Sequence, residues 1–169
     1  MMNLSLYNII LFMGLTWGTN IALNLLYVLK RAFPVVVSWD RPIDGGIKFF
    51  DHRRFIGDST TLLGLVVVVA CMLLAFYSGL FNSVIAVITP LLVYLGHTLG
   101  SFIKRRMNKN DVFVPFVDHG DYVFLSGLVL CILGYVSASL AIVCLLITYI
   151  LHPVAVVLAF KIGLREKSY

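Results

Sequence analysis

Apolar residues in this chain come in long blocks, and polar residues come in short ones between them. Blocks such as LLGLVVVVACMLLAF and LVLCILGYVSASLAIVCLLITYILHPVAVVLAF show no period-two alternation, which argues against the strands of a membrane β-barrel. In an uninterrupted apolar run the backbone polar groups must be satisfied within the segment, and helix does that. Crossing a hydrocarbon core of about 30 Å takes about 20 residues of helix. Residues 4–29 supply one span. Residues 60–103 hold too many apolar positions for one span and break near Tyr77, Ser78 and Gly79, with Asn82 just after, so they predict a helical hairpin of two spans. Residues 122–160 predict two more, turning near 134–139. The fourth span, about 122–136, is short; it either begins inside the preceding loop or tilts little. The expected fold is all-α, an integral membrane protein with five transmembrane helices.

Composition agrees. The 169 residues are 60% hydrophobic and 12% charged, against about 25% charged in a soluble domain, and the mean hydropathy is +0.98. The length suits a single domain over 1–169. The first apolar run has no basic segment before it and is too long for a signal peptide, so it is expected to be a retained span. Cys71, Cys131 and Cys144 all lie within apolar runs, where cysteine acts as a small hydrophobe. Neither a zinc site nor a disulfide framework is expected from their spacing.

Charge placement adds topology. Every Lys, Arg, Asp and Glu falls within 30–58, 104–121 or 161–167. Two predicted spans separate each segment from the next, so all three face one side, which the positive-inside rule makes cytoplasmic. The N-terminus is then outside, the C-terminus is cytoplasmic, and two charged cytoplasmic loops lie at about 30–60 and 104–121. The outer turns near 78–82 and 134–139 carry no charge. The net charge of +5 points to anionic partners such as headgroups, phosphates or nucleotides. Nucleic acid is not expected, because the bases share short loops with acids. A transporter needs polar groups deep in its spans. Here the deep positions offer little beyond Asn20, Asn24, Thr148 and the His152-Pro153 pair, and no inverted repeat is evident. The pattern suits an enzyme that acts on a lipid headgroup with a water-soluble co-substrate.

Two constellations carry candidate chemistry. Gly96, Gly100 and Ser101 precede Lys104, Arg105 and Arg106, and Asp118 and Asp121 follow at the start of the fourth span. Carboxylates three residues apart share a helix face. Mg²⁺ takes one or two carboxylates plus phosphate oxygens, and Lys and Arg neutralise the remaining phosphate charge. Each half also has a plain structural account: the basic triplet as a membrane-edge anchor, the aspartates as an N-terminal cap. The first loop holds Asp40, Asp44, Gly45, Gly46, Asp51, His52, Arg53, Arg54, Gly57, Asp58, Thr60 and Thr61. Its glycines let backbone N–H groups approach phosphates, and Arg53 and Arg54 suit a polyphosphate. Thr60 and Thr61 equally suit capping the next helix, and Asp44 equally suits opening a turn with the glycines.

These stretches resemble the CDP-archaeol synthase family, archaeal membrane cytidylyltransferases related to the CDP-diglyceride synthetases. The likeness rests on Pro42-x-Asp44-x-Gly46-x-x-Phe49, Arg54-x-x-Gly57-Asp58, Thr61 and Gly64, then on Gly96, Ser101-Phe102-Ile103-Lys104-Arg105-Arg106 and Asp118-x-x-Asp121. The resemblance implies CTP and an isoprenoid ether lipid phosphate as substrates, Mg²⁺ as cofactor and the cell membrane as location. It implies Lys104, Arg105 and Arg54 at the triphosphate, with Pro42, Asp44, Gly46, Arg53, Phe55, Gly57, Thr60, Thr61 and Ser101 on the nucleotide. Asp118 and Asp121 would hold the metal, with Asp44 and His97 as further candidates. The family usually has Lys-Thr where this chain has Thr60-Thr61, and Gly-Asp where it has Gly96-His97. Arg53 and Lys48 are candidates to replace the missing Lys. A CDP-diacylglycerol synthase for ester lipids and a non-catalytic nucleotide- or lipid-binding subunit are the competing expectations.

Overall fold

The computed structural model describes residues 1–33, 40–56, 60–108 and 114–161; the side chains of Tyr27, Arg31, Pro115 and Phe116 are outside that description. Five helices make up the described fold: α1 (Leu6–Ala32), α2 (Leu62–Tyr77), α3 (Ser83–Arg106), α4 (Pro115–Ile132) and α5 (Ala138–Lys161). Helices α1, α3 and α5 contain segments long and apolar enough to cross a membrane: Leu6–Lys30, Ser83–Arg106 and Ala138–Lys161. Helix α2 is apolar but has 16 residues. Helix α4 has 18 residues and carries Asp118 in its first turn.

Local chemistry explains where the helices start and stop. The Ser5 hydroxyl accepts from the Asn8 N–H, Thr61 from Gly64, and Asn82 from Val84, so three helices open on side-chain caps. The turns after α2 and α4 close through Gly79 (φ 67°) and Gly134 (φ 76°), a left-handed conformation that a side chain disfavours. The fourth apolar run forms a helix from Pro115, so of the two alternatives for the short span, the one beginning inside the loop is what occurs. Proline at the first helical position brings a preset φ and lacks only an N–H that the helix would leave unpaired. The Asp118 carboxylate then reaches back to accept from the Val114 N–H at 2.7 Å. The helix ends at Ile132, four residues before the expected limit.

Helix α3 packs on both α2 and α4, α4 packs on α5, and α1 lies across all four. The largest buried cluster joins Phe12, Leu92, Val93, Tyr122, Val123, Leu130, Leu140 and Cys144 from four helices. At α3 against α4 the backbones nearly touch: a Cβ at Gly96 would lie 2.6 Å from the Tyr122 Cα. Small residues permit such an approach where apolar burial against lipid offers no preference between partners. One end of the bundle carries no charged side chain among the described residues, and there Met2 pairs with the α4–α5 turn through Met2 N–H to Tyr135 C=O (2.7 Å) and Ser137 N–H to Met2 C=O (2.9 Å). The opposite end collects Lys30, the first loop, Lys104 to Arg106 and Asp118.

Candidate functional site

The first loop is a folded unit built on Asp44. Its carboxylate accepts from the Gly46 N–H (3.0 Å), the Ile56 N–H (2.8 Å) and the Arg54 guanidinium (3.0 Å). Gly45 and Gly46 take φ of 55° and 89°, which the turn beneath that carboxylate requires. Burial pushes the Asp44 carboxyl up, but the hydrogen bonds from Gly46, Ile56 and Arg54 outweigh it and hold the group below the ordinary carboxylate range. The strand-like ends of the loop pair through Ile43 N–H to Thr60 C=O (3.1 Å) and Leu62 N–H to Arg41 C=O (3.0 Å). Beyond Asp44 a short hairpin forms, with Phe49 N–H on Arg53 C=O (2.8 Å) and Phe55 N–H on Ile47 C=O (2.9 Å).

The loop is fastened at both sides. Asp40 pairs with Lys30 at the end of α1 and accepts from the Leu63 N–H at the start of α2. Here too burial raises the carboxyl, and the Lys30, Thr61 and Leu63 hydrogen bonds more than reverse that, so Asp40 stays ionised. Arg53 donates to the carbonyls of Arg105 (2.5 Å) and Arg106 (3.2 Å), capping the C-terminus of α3. Arg105 reaches the Phe55 carbonyl at 3.4 Å, while the Arg106 guanidinium lies 3.3 Å from the Phe102 ring centroid and 3.5 Å from Asp51.

Across α3 from this loop stands the carboxylate pair. Lys104 Nζ is 2.9 Å from both oxygens of Asp118. Asp121, one turn on, lies against Gly100, and its Oδ2 is 3.5 Å from His97 Nδ1. Both aspartates therefore share one helix face, as their spacing predicts, and that face turns toward α3. Two carboxylates on one face fit a Mg²⁺ ion that completes its shell with phosphate oxygens and water. Among the described residues no three His, Cys, Asp or Glu side chains gather as a metal-binding group. Asp44 is thus occupied by its own loop rather than joined to Asp118 and Asp121. His97 is held from behind, with its Nε2 3.0 Å from Asn20 Oδ1, which also accepts from Asn24 at 2.9 Å.

The remaining expected residues fall into place unevenly. Pro42 pairs with Thr61. Thr61 caps α2 and Thr60 is buried with its hydroxyl 3.5 Å from Thr98, so the capping role foreseen for Thr61 is met. Phe55 packs on Phe49 and Phe102. Ser101 is half-buried beside Gly100 on α3. Gly57 and Asp58 lie outside the described residues. Lys48 pairs through its backbone with Arg54 on the exposed hairpin. The cation brought to Thr61 is instead Lys30, 3.3 Å from its hydroxyl and absent from the sequence-based candidates. Asn20 was visible as a polar residue deep in an apolar run, but nothing in its spacing pointed to His97. Tyr94, which donates to the Thr61 carbonyl at 2.6 Å, and the buried His119, with Nδ1 2.6 Å from His152 Nδ1, also became apparent only in the packed helices.

Known proteins share this architecture. A family model described as CarS-like, CDP-archaeol synthase, matches residues 9–169. The CDP-archaeol synthase of Aeropyrum pernix is 32% identical over 157 residues, covering 86% of this chain and 88% of that protein. The CDP-archaeol synthase of Thermofilum pendens is 31% identical over 167 residues, covering 87% and 80%. A solved structure, of an intramembrane enzyme for archaeal membrane lipids biosynthesis, aligns with a TM-score of 0.64 at 27% identity, covering 92% of this chain and 97% of its own.

Proposed function

The chain belongs to the CDP-archaeol synthase family, and from that premise we propose that it is a CTP-dependent cytidylyltransferase of archaeal phospholipid biosynthesis. It converts 2,3-di-O-geranylgeranylglyceryl phosphate and CTP to CDP-archaeol and pyrophosphate. The observation that carries the mechanism is the Lys104–Asp118 pair, with Asp121 beside it, on the α3–α4 face whose end is capped by the arginine-bearing loop.

The lipid phosphate is already ionised and needs no strong base. One of its oxygens forms a bond to the α-phosphorus of CTP while the bond from that phosphorus to the bridging oxygen of the β-phosphate breaks, and pyrophosphate leaves. Rate then depends on alignment and on neutralising charge between two anions. Lys104, already poised at a carboxylate 2.9 Å away, moves its ammonium onto phosphate oxygens when substrate arrives. Arg105 and Arg54 neutralise the triphosphate and the leaving pyrophosphate. The loop built on Asp44, with Pro42, Gly46, Arg53, Phe55, Thr60, Thr61 and Ser101, holds the nucleotide. Asp118 and Asp121 would hold Mg²⁺, which supplies charge neutralisation and a common anchor for the phosphates. The apolar surface between helices takes the isoprenoid chains. All five helices cross the membrane, the charged end is cytoplasmic, and the N-terminus lies outside.

The test is a detergent-solubilised assay with CTP, Mg²⁺ and either the ether lipid phosphate or an ester phosphatidic acid. CDP-lipid and pyrophosphate should appear in equal amounts and faster with the ether lipid. Preference for the ester lipid would make it a CDP-diacylglycerol synthase. CTP binding without pyrophosphate release would leave a binding protein and sink the proposal.

A further inference from the structure

The hairpin between residues 47 and 55 carries an apolar side chain with no place in the reaction. Phe50, at its tip, is 92% exposed, and the ring pairing it makes is with its neighbour Phe49. An exposed phenylalanine on a mobile loop would mean little. This hairpin is instead clamped. Phe49 and Phe55 pack edge-to-face against Phe102 with centroids 5.6 and 5.4 Å apart, Arg53 caps the end of α3, and Arg106 lies over Phe102 while reaching Asp51. The tip is therefore carried at a fixed level relative to the last turn and a half of α3.

That level can be placed. A 24-residue helix is about 36 Å long, a little more than a hydrocarbon core of about 30 Å. The basic triplet Lys104 to Arg106 thus emerges at the polar boundary, with Phe102 just inside it. Along the outer face of α3, the side chains of Leu95, Leu99 and Ile103 are exposed at four-residue spacing, an apolar strip that runs up to the same turn. A hairpin packed on Phe102 holds Phe50 at the headgroup level, two residues along the chain from the exposed Lys48. An apolar ring held there gains free energy by burying its surface at the headgroup–acyl boundary, as Trp, Phe and Leu do on interfacial segments with basic neighbours.

We propose that this hairpin is an interfacial anchor: Phe50 inserts into the headgroup–acyl boundary of the membrane that the helices cross. The anchor holds the nucleotide-binding loop down against the surface from which the lipid phosphate must come, and it stands whether or not the cytidylyl transfer does.

The experiment is fluorescence of Phe50→Trp, with the signal of the parent protein (Trp17 and Trp39) subtracted. Both proteins are reconstituted in phosphatidylcholine–phosphatidylglycerol vesicles, with and without lipids brominated near the glycerol end of their chains. The added emission should be blue-shifted relative to indole in water, lose most of its intensity to the brominated lipid, and resist aqueous acrylamide. Emission quenched by acrylamide and indifferent to bromine would place the tip in water and overturn the proposal. Emission protected from both quenchers would also overturn it, by showing a protein surface, such as a second copy, over the tip.

Discussion

The carboxylate of Asp121 occupies the space where residue 100 would carry a side chain: a Cβ built on Gly100 overlaps Asp121 Oδ2. Glycine at that position is what lets a charged group sit between two helices packed this closely. Gly100→Ala is expected to displace the carboxylate and lower kcat for CDP-lipid formation. Overpacking of this kind costs about 1–3 kcal/mol. Gly96→Ala meets the Tyr122 Cα at 2.6 Å rather than a side chain, so it should push the helices apart and lose more stability. Thermal unfolding in detergent, set beside kcat, separates the two: Gly100→Ala should lose more activity for each degree of Tm.

Lys104 and Asp118 form a pair that substrate must partly dissolve. Lys104→Met is expected to lower kcat about 100-fold, in the range seen when one charge-stabilising donor is removed, with partial recovery in Lys104→Arg. Asp118→Asn and Asp121→Asn should each abolish most turnover. The double variant Lys104→Met with Asp118→Asn should be little worse than either single one, because the groups act as a unit. Full turnover in either Asn variant would remove the metal assignment.

Asp44 gives a pH prediction with a definite sign. Its carboxyl in the folded loop lies below the ordinary value, which is about 3.9 for an unstructured Asp. Its contribution to stability is therefore complete above that value and is lost as pH falls through the lower, folded one. Arg54→Met removes one of the interactions holding it down and should move the acid transition of the loop upward in pH. Asp44→Asn leaves a buried donor facing an amide N–H₂, a cost of about 1–3 kcal/mol. Protease nicking within residues 40–56, followed against pH, reads both effects.

His97 stands 3.5 Å from Asp121, held by Asn20. Replacing it with the carboxylate usual in the family puts two negative groups together, which only a cation can offset. His97→Asp should therefore lower activity at limiting Mg²⁺ and raise it at saturating Mg²⁺, giving a steeper metal dependence in a titration of initial rate. An unchanged Mg²⁺ curve would mean that residue 97 lies outside the metal's reach.

Much of this was legible in one dimension. Unbroken apolar runs specify helices because no other conformation satisfies their backbone in lipid, and Tyr77 to Asn82 and Gly134 marked the turns where they occur. Confining the charges to a few segments set Lys30, the first loop, Lys104 to Arg106 and Asp118 at one end of the bundle, while Arg165, Glu166 and Lys167 of the third segment lie outside the described residues. The three-residue spacing of Asp118 and Asp121 put both on one helix face. Local motifs also marked out the two loops that carry the candidate site residues.

Partnership was decided only by packing. Asp44 has the composition of a metal ligand, but three donors from its own loop consume its oxygens. Thr61 acquires its cation from Lys30, thirty-one positions earlier, because α1 lies across the start of α2. Asn20 and His97 meet because α1 and α3 cross at that level. Helix periodicity fixes which way a side chain faces along its own axis, whereas the rotation and height of one helix against another come from summed side-chain shape, at positions such as Gly96 and Gly100. Sequence alone thus determined the helices, the turns between them and the charged pole of this protein, and tertiary structure alone determined which charge answers which.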